Sequence, residues 1–149
     1  MKELDVAYSN LLKDLDGIPS KYTPGKTLLD ETLVVCMSEF GRVPGAITET
    51  RKGREHYMQV HCGMFAGGGV RRGAVIGKTD DLGGKIVEAG WSAQRPIYME
   101  DVACTIYSAL GIDWTKSVQN TPSGRAFHYI ENASGTKYVG FKPVPELFG

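Results

Sequence analysis

The fold is decided by the stretch Leu28-Leu-Asp-Glu-Thr-Leu-Val-Val-Cys-Met-Ser-Glu-Phe-Gly-Arg42. Residues 32–37 form a short, almost unbroken apolar run with three β-branched side chains. Such a run predicts a strand buried on both faces, as in the parallel sheets of α/β proteins. Polarity changes abruptly at Ser38, and a glycine three residues later permits a sharp turn. Because open α/β sheets bind ligands beyond the carboxyl ends of their strands, Ser38, Glu39 and Arg42 lie where a site is expected.

Composition narrows the class of protein. The chain has 149 residues, enough for one domain, or part of a larger one, with a real core. Its 17 basic residues balance its 17 acidic residues, so its charge gives no support to a nucleic-acid surface. No apolar run approaches the roughly 20 residues that span a bilayer, and the N-terminus has no apolar segment like that of a signal peptide. We therefore expect neither a nucleic-acid partner nor a membrane span.

Periodic patterns predict two helices and a second strand. Apolar residues at spacings of three and four over residues 3–16 predict an amphipathic helix. Residues 59–65 have enough apolar character for a strand, which ends at the triple glycine 67–69. A second helix is predicted over residues 99–110, with two acidic residues at its positive N-terminal end. The order of helix, loop and buried strand is typical of a layered α/β protein.

Residues 41–55 form a long polar loop that we expect to lie across the carboxyl edge of the sheet. Arg42 and Arg54 could hold an anionic substrate group through bidentate hydrogen bonds, although exposed loop arginines are common. The carboxylate of Glu39 could equally pair with Arg42 or cap the following turn. Four side chains of the loop are basic: Arg42, Arg51, Lys52 and Arg54.

Other motifs have plainer interpretations. The triple glycine lacks both phosphate-loop patterns, which favours a tight strand exit. His56 and His61 lie five residues apart, which is not the spacing of a zinc module, so each histidine alone is more often structural. The cysteines have no CxxC spacing and lie among apolar neighbours. Buried free thiols are therefore predicted at all three positions: Cys36, Cys62 and Cys104.

Taken together, four ordered motifs resemble a known family from the first helix to about Phe127. The uncharacterised family is sulfatase-like, is catalogued as domain of unknown function 1501, and belongs to the alkaline phosphatase superfamily. The resemblance implies a three-layer α/β/α fold, with residues 1–149 as the C-terminal portion of one domain and residues 128–149 as a loop-rich tail. The motifs are Leu33-Val-Val-Cys-Met-Ser-Glu-Phe-Gly-Arg42, Gly53-Arg-Glu-His-Tyr57, Phe65-Ala-Gly-Gly-Gly-Val70 with Gly73, Val75-Ile-Gly77 and Thr79-Asp80, and Arg95-Pro-Ile-Tyr-Met-Glu-Asp-Val-Ala-Cys-Thr-Ile-Tyr-Ser-Ala-Leu-Gly-Ile-Asp113 with Gly124-Arg125.

The resemblance also implies a metal site. In the wider superfamily a strand ends in Ser/Thr-Asp-His-Gly, whose Asp and His bind metal, and a later His completes the site. Residues 38–41 match that strand end and His56 matches the later His, so Glu39 and His56 are the implied ligands of a divalent metal: zinc, manganese or calcium. Phe40 departs from the pattern because phenylalanine cannot ligate a metal. Arg42 and Arg54 would then hold an anionic ester substrate.

Part of the superfamily machinery is missing from this sequence. Superfamily enzymes carry their nucleophilic Ser or Thr, and further acidic ligands, on an earlier strand. The catalytic nucleophile is therefore unassigned, the 149-residue chain alone is expected to be inactive, and the N-terminal part of the same domain is its expected partner. Related proteins are often exported, which suggests a periplasmic full-length protein.

Two functional hypotheses remain open. The first is a metal-dependent hydrolase of phosphate or sulfate esters, in which the metal polarises the ester. The second is a non-catalytic relative that keeps the fold as a binding or structural module. Glu39 with His56 favours the hydrolase, and Phe40 favours the non-catalytic relative.

Overall fold

The computed structural model describes residues 2–47, 50, 52–131 and 140–149. The described chain combines helices with short antiparallel strand pairs, which makes it broadly an α/β protein. No helix in these residues is both long and apolar enough to cross a membrane. The elements are α1 (Lys2–Gly17), α2 (Leu28–Glu31), β1 (Val34–Met37), β2 (Gly41–Arg42), β3 (His56–Tyr57), β4 (Gly63–Ala66), β5 (Lys78–Thr79), β6 (Ile86–Glu88), α3 (Met99–Ala109), β7 (Ser117–Val118), β8 (Phe127–His128) and a 3-10 helix (Pro145–Leu147).

The chain divides into two compact units. The first contains residues 1–90 and 146–149, and the second contains residues 91–145. The first unit holds α1, α2 and the three pairs β1–β4, β2–β3 and β5–β6, while the second holds α3 and the pair β7–β8.

The predicted first helix is confirmed as α1, which packs on α2 and has Tyr8 near Cys36 of β1. Its Tyr8 is half-buried, whereas Leu4 and Leu11 at the edge of the apolar stripe are each 45% exposed. Burial raises the pKa of the Tyr8 phenol, and the neighbouring Cys36 of β1 raises it further. The helix therefore packs through the Tyr8 side of its stripe rather than through the whole stripe.

A one-turn helix, α2, precedes the organising strand and was not expected. Asp30 stabilises its start, because one carboxylate oxygen accepts the backbone N–H of Thr27 at 2.8 Å and the Thr27 hydroxyl at 3.1 Å. These bonds lower the pKa of Asp30. As a result the strand begins at Val34 rather than at residue 32.

β1 and β4 pair from Val34 opposite Ala66 to Met37 opposite Gly63. The prediction that residues 32–37 and 59–65 contribute strands to one sheet is therefore confirmed for the last part of each range, residues 34–37 and 63–65. The predicted parallel direction is wrong, since the pair is antiparallel. Residues 38–62 contain no crossover helix in their described part, and a parallel pair requires such a crossover. The predicted burial on both faces is also wrong, because all of β1 is only half-buried.

The cysteine prediction is only partly correct. All three cysteines are free thiols, but only Cys104 is buried. Cys36 is half-buried in β1, and Cys62 is exposed because it lies just before β4, where the ladder ends.

The triple glycine provides a tight strand exit, as predicted. Gly67, Gly68 and Gly69 all have positive φ angles, of 69°, 52° and 82°, which glycine adopts without strain. A Cβ on Gly67 would lie 2.2 Å from the carbonyl oxygen of Thr32, so this position also requires the absence of a side chain. The turn then packs on α2, since the Gly68 N–H donates to the Leu29 carbonyl at 2.9 Å.

The second unit is built around a buried carboxylate on the predicted helix, observed here as α3. Asp101 is fully buried and receives two hydrogen bonds from Arg95, at 2.6 and 2.8 Å. Its oxygens also accept the backbone N–H groups of Tyr98 at 2.8 Å and Lys142 at 3.0 Å. The buried residues of the described chain all lie in this unit: Trp91, Asp101, Val102, Cys104, Thr105 and Val144.

Candidate functional site

The predicted site lies at a small strand pair that the sequence did not reveal. The chain bends at Glu39 and Phe40 after β1, and β2 then pairs with β3. Arg42 lies directly opposite His56 in this ladder. The predicted loop over residues 41–55 is therefore corrected: its first two residues are a strand, and residues 43–55 connect the two strands.

Gly41 allows this pair to form, but not by permitting a sharp turn as expected. A Cβ at Gly41 would lie 2.2 Å from the carbonyl oxygen of Val60 and 3.3 Å from that of Tyr57. Any larger residue would push the two segments apart. Because Gly41 has no side chain, its backbone can lie close to the backbone of residues 57–60.

Phe40, Arg42 and His56 form one side-chain group, called here the Phe40 cluster. The rings of Phe40 and His56 lie with their centroids 3.8 Å apart and their planes inclined by 30°. The Arg42 guanidinium carbon lies 5.3 Å from the centroid of the Phe40 ring. Since cross-strand and diagonal neighbours on one face of a ladder can touch, the register accounts for the cluster. Sequence reasoning identified Phe40 only as a departure from a motif and missed its contact with His56.

The two arginines predicted to bind substrate are joined across the base of the loop. Arg42 donates from Nη1 to the carbonyl of Arg54 at 3.2 Å, and Arg54 donates from Nη1 to the carbonyl of Val43 at 2.8 Å. The Val43 N–H donates in turn to the Glu55 carbonyl at 3.1 Å. Both arginines are exposed to solvent. Two positively charged, multi-donor groups therefore lie together at one end of the β2–β3 ladder.

Glu39 is exposed and immediately precedes Phe40, whose ring contacts His56. The two predicted metal ligands thus belong to the same strand junction, and their convergence on one metal stays a prediction. Of the other basic residues in the loop, Lys52 is exposed, and Arg51 lies outside the described residues.

Most of the sequence is similar to one known protein family. Residues 1–136 match the family described as Protein of unknown function (DUF1501). The chain belongs to the DUF1501 family. No curated protein and no solved structure matches it. The family resemblance inferred from the four motifs is therefore confirmed at the level of DUF1501.

The metal ligands implied for this DUF1501 chain fit in kind but are incomplete in number. Carboxylate oxygen and imidazole nitrogen are ordinary zinc ligands, and a catalytic zinc takes three protein ligands. Across residues 2–47, 50, 52–131 and 140–149, no three His, Cys, Asp or Glu side chains assemble into a metal-binding group. A metal binds imidazole in the plane of its ring, so a Phe40 ring against the face of His56 orients the imidazole without occupying its nitrogens.

A second layer of contacts fixes β3 of the DUF1501 chain. The Tyr57 hydroxyl, one residue after His56, donates to the Gly84 carbonyl. Gly84 is held in turn by Asp80, whose carboxylate accepts the backbone N–H groups of Gly84 at 2.6 Å and Lys85 at 3.3 Å. This turn joins β5 to β6, so the hairpin supports the strand that carries His56. The Asp-Asp-Leu-Gly-Gly sequence at residues 80–84 signals such a turn, but nothing in it points to Tyr57.

Proposed function

We propose that the protein to which these residues belong is a metal-dependent hydrolase of phosphate or sulfate esters with a three-layer, alkaline phosphatase-like fold. One observation carries the proposal: Arg42 and Arg54, expected to hold an anion, lie together at the base of one loop, with His56 directly opposite Arg42. The DUF1501 match shows the family, and the hydrolase chemistry is added by this proposal.

The arginines bind the anionic group of the substrate. Each guanidinium has five N–H donors in a planar fork that suits two oxygens of a phosphate or sulfate. The hydrogen bonds to the carbonyls of Arg54 and Val43 each use one donor and hold the forks in place. Fixed positive groups of this kind stabilise the charge that develops on the transferred group.

Glu39 and His56 supply two of the metal ligands. A bound zinc, manganese or calcium ion would polarise the ester and stabilise developing negative charge. The contact with Phe40 keeps the His56 ring in one orientation, and Tyr57 fixes the strand beneath it. The nucleophile and the remaining ligands come, in this proposal, from the N-terminal part of the same domain, in a protein exported to the periplasm.

The test is hydrolysis of nitrophenyl phosphate and nitrophenyl sulfate by the full-length protein, with zinc or manganese present and then chelated. We expect metal-dependent turnover of at least one ester. His56→Ala should lower its rate by more than about 100-fold, since a catalytic metal supplies several kcal/mol of stabilisation. His128→Ala, an exposed histidine of β8, is the matched control and should leave the rate unchanged. Turnover that a chelator or His56→Ala leaves unaffected would contradict the proposal.

A second function is favoured by Phe40. This ring lies where the superfamily motif has a metal-binding histidine, and it packs against the remaining histidine. A protein with that arrangement could keep the arginine pair and bind anions without hydrolysing them. Saturable binding of phosphate or sulfate that depends on Arg42, together with no turnover of either ester by the full-length protein, would select this module over the hydrolase.

A further inference from the structure

A set of sulfur-containing side chains lies along the β1–β4 ladder, separate from the residues assigned above. Cys36 of β1 is directly opposite Met64 of β4. Beyond the end of the ladder, the Ser38 N–H donates to the Cys62 carbonyl at 3.1 Å, which places Ser38 opposite Cys62. The Ser38 hydroxyl oxygen lies 4.0 Å from the Cys62 sulfur, so these two side chains share a face.

The register brings three sulfur atoms to that face. Alternate residues of a strand point to the same side, so Cys36 shares the face of Ser38 and Met64 shares that of Cys62. Cys62 is then the diagonal neighbour of Cys36. Cys62 and Met64 are open to solvent, with Met64 47% exposed, whereas Cys36 is half-buried.

The distances expected for this arrangement favour a bridging ion over a disulfide. Diagonal neighbours in an antiparallel pair are separated by about 7–8 Å between Cα atoms, and a disulfide requires no more than about 7 Å. A metal bound about 2.3 Å from each sulfur lies between the two sulfur atoms, so it can link side chains that are too far apart for a direct sulfur–sulfur bond. Two thiols and one thioether can therefore converge on an ion where a direct sulfur–sulfur bond would distort the strands.

A buried group beside Cys36 is consistent with a bound ion. The Tyr8 hydroxyl oxygen is buried and has no hydrogen-bond partner among the described residues. A thiol is a weak hydrogen-bond acceptor. A metal-bound cysteine is a thiolate, and such ligands are commonly supported by a hydrogen bond from a neighbouring side chain. A hydrogen bond from the Tyr8 hydroxyl to a metal-bound Cys36 would be of this kind and would satisfy the buried oxygen.

We propose that Cys36, Cys62 and Met64 form a binding site for a single Cu(I) ion. Thiolate and thioether sulfur are the soft ligands that select Cu(I), whereas the oxygen of Glu39 and the imidazole of His56 suit divalent ions. Binding forms two copper–thiolate bonds and one copper–thioether bond and releases the two thiol protons to solvent. The third ligand is a methionine, so this site does not conflict with the finding that no three His, Cys, Asp or Glu side chains of the described residues assemble into a metal-binding group.

The proposal is tested by anaerobic titration of the reduced chain with Cu(I) in competition with a coloured Cu(I) chelator. We expect one tightly bound Cu(I) per chain. Loss of a supporting residue alone typically weakens metal binding 10–100-fold, so Cys62→Ser and Cys36→Ser should each weaken it by more than about 100-fold. Met64→Leu keeps the size and apolar character of the side chain and should weaken it by about 10-fold or more.

Cys104→Ala is the matched control, because it removes the buried thiol of the second unit and should leave the Cu(I) affinity unchanged. Cys62 is exposed, so Cys62→Ser is expected to fold even if Cys36→Ser does not, and circular dichroism of each variant checks this. Unchanged Cu(I) affinity in folded Cys62→Ser would overturn the proposal. An equal loss of affinity in Cys104→Ala would overturn it as well.

Discussion

Arg95 and Asp101 form a bidentate ion pair, with Nη1 to Oδ2 at 2.6 Å and Nη2 to Oδ1 at 2.8 Å. Asp101 is fully buried, whereas the Arg95 side chain is 21% exposed. The guanidinium carbon also lies 4.9 Å from the Trp91 ring centroid and 5.0 Å from that of Tyr98. The pair ties the start of α3 to the segment before it, so we expect it to stabilise the second unit.

Asp101→Asn should lower the free energy of unfolding by about 3 kcal/mol, because removing one partner leaves the Arg95 charge uncompensated in a largely buried position. Denaturation in urea, followed by circular dichroism, measures the change. Lys116→Gln is the control: it breaks the pair with Asp113, whose atoms are 3.6 Å apart and well exposed, and should leave the midpoint almost unchanged. Equal midpoints for Asp101→Asn and the wild type would show that the buried pair does not stabilise the fold.

Gly67→Ala and Gly69→Ala should differ in stability although both positions have positive φ. A Cβ on Gly69 meets no atom of the described residues within 4 Å, so only the left-handed conformation is penalised, by about 1–2 kcal/mol. A Cβ on Gly67 would lie 2.2 Å from the Thr32 carbonyl oxygen and 2.4 Å from that of Leu29, so the backbone must also move. In urea denaturation, the free energy of unfolding of Gly67→Ala should therefore be clearly lower than that of Gly69→Ala. The reverse ranking, or equal losses, would mean that the turn does not pack on α2 as described.

Cys104 should resist alkylation in the native protein. Burial, with a further contribution from the charge of Asp101, raises the pKa of its thiol from 9.0 to about 11. Because the thiolate is the reactive form, the reactive fraction at pH 8 is about 100-fold lower than for an ordinary thiol. Mass spectrometry after iodoacetamide treatment should show rapid labelling of the exposed Cys62 and none of Cys104 until denaturant is added. Labelling of both at one rate in the native state would contradict this prediction.

The sequence predicted the long helices well, because periodicity over more than ten residues is a strong signal. α1 matches the predicted residues 3–16, and α3 matches 99–110, to within one residue at each end. That residues 32–37 and 59–65 contribute to one sheet was also expected. The antiparallel direction of β1 and β4 was not, because an apolar run in one strand carries no information about the direction of its neighbour.

Short elements and their contacts could not be predicted in the same way. α2 has four residues, and β2 and β3 have two each, which is too few to show a period. The candidate residues Arg42, Arg54 and His56 were identified by chemical type and motif. Their relative positions depend on the β2–β3 register and on the backbone carbonyls of Val43 and Arg54 in the connecting segment, which no residue pattern encodes.

Glu39→Gln and His56→Ala should each weaken binding of zinc or manganese by the full-length protein by at least about 10-fold, since each removes a proposed ligand. Calorimetric titration measures the affinities. Glu88→Gln, which removes an exposed carboxylate of β6, controls for the loss of one negative charge. If both site variants bind metal with the wild-type affinity, Glu39 and His56 are not metal ligands, and Glu39 is an ordinary loop carboxylate.

The central claim is that Arg42 and Arg54 form an anion-holding pair, and calorimetric titration with inorganic phosphate and sulfate tests it most directly. Charge-assisted hydrogen bonds contribute about 1.5–3 kcal/mol each, so Arg42→Ala and Arg54→Ala should each weaken saturable binding by about 10-fold or more. Arg71→Ala removes the same charge from an exposed position of the first unit and should bind like the wild type. Equal weakening in all three variants, or none in Arg42→Ala and Arg54→Ala, would contradict the account.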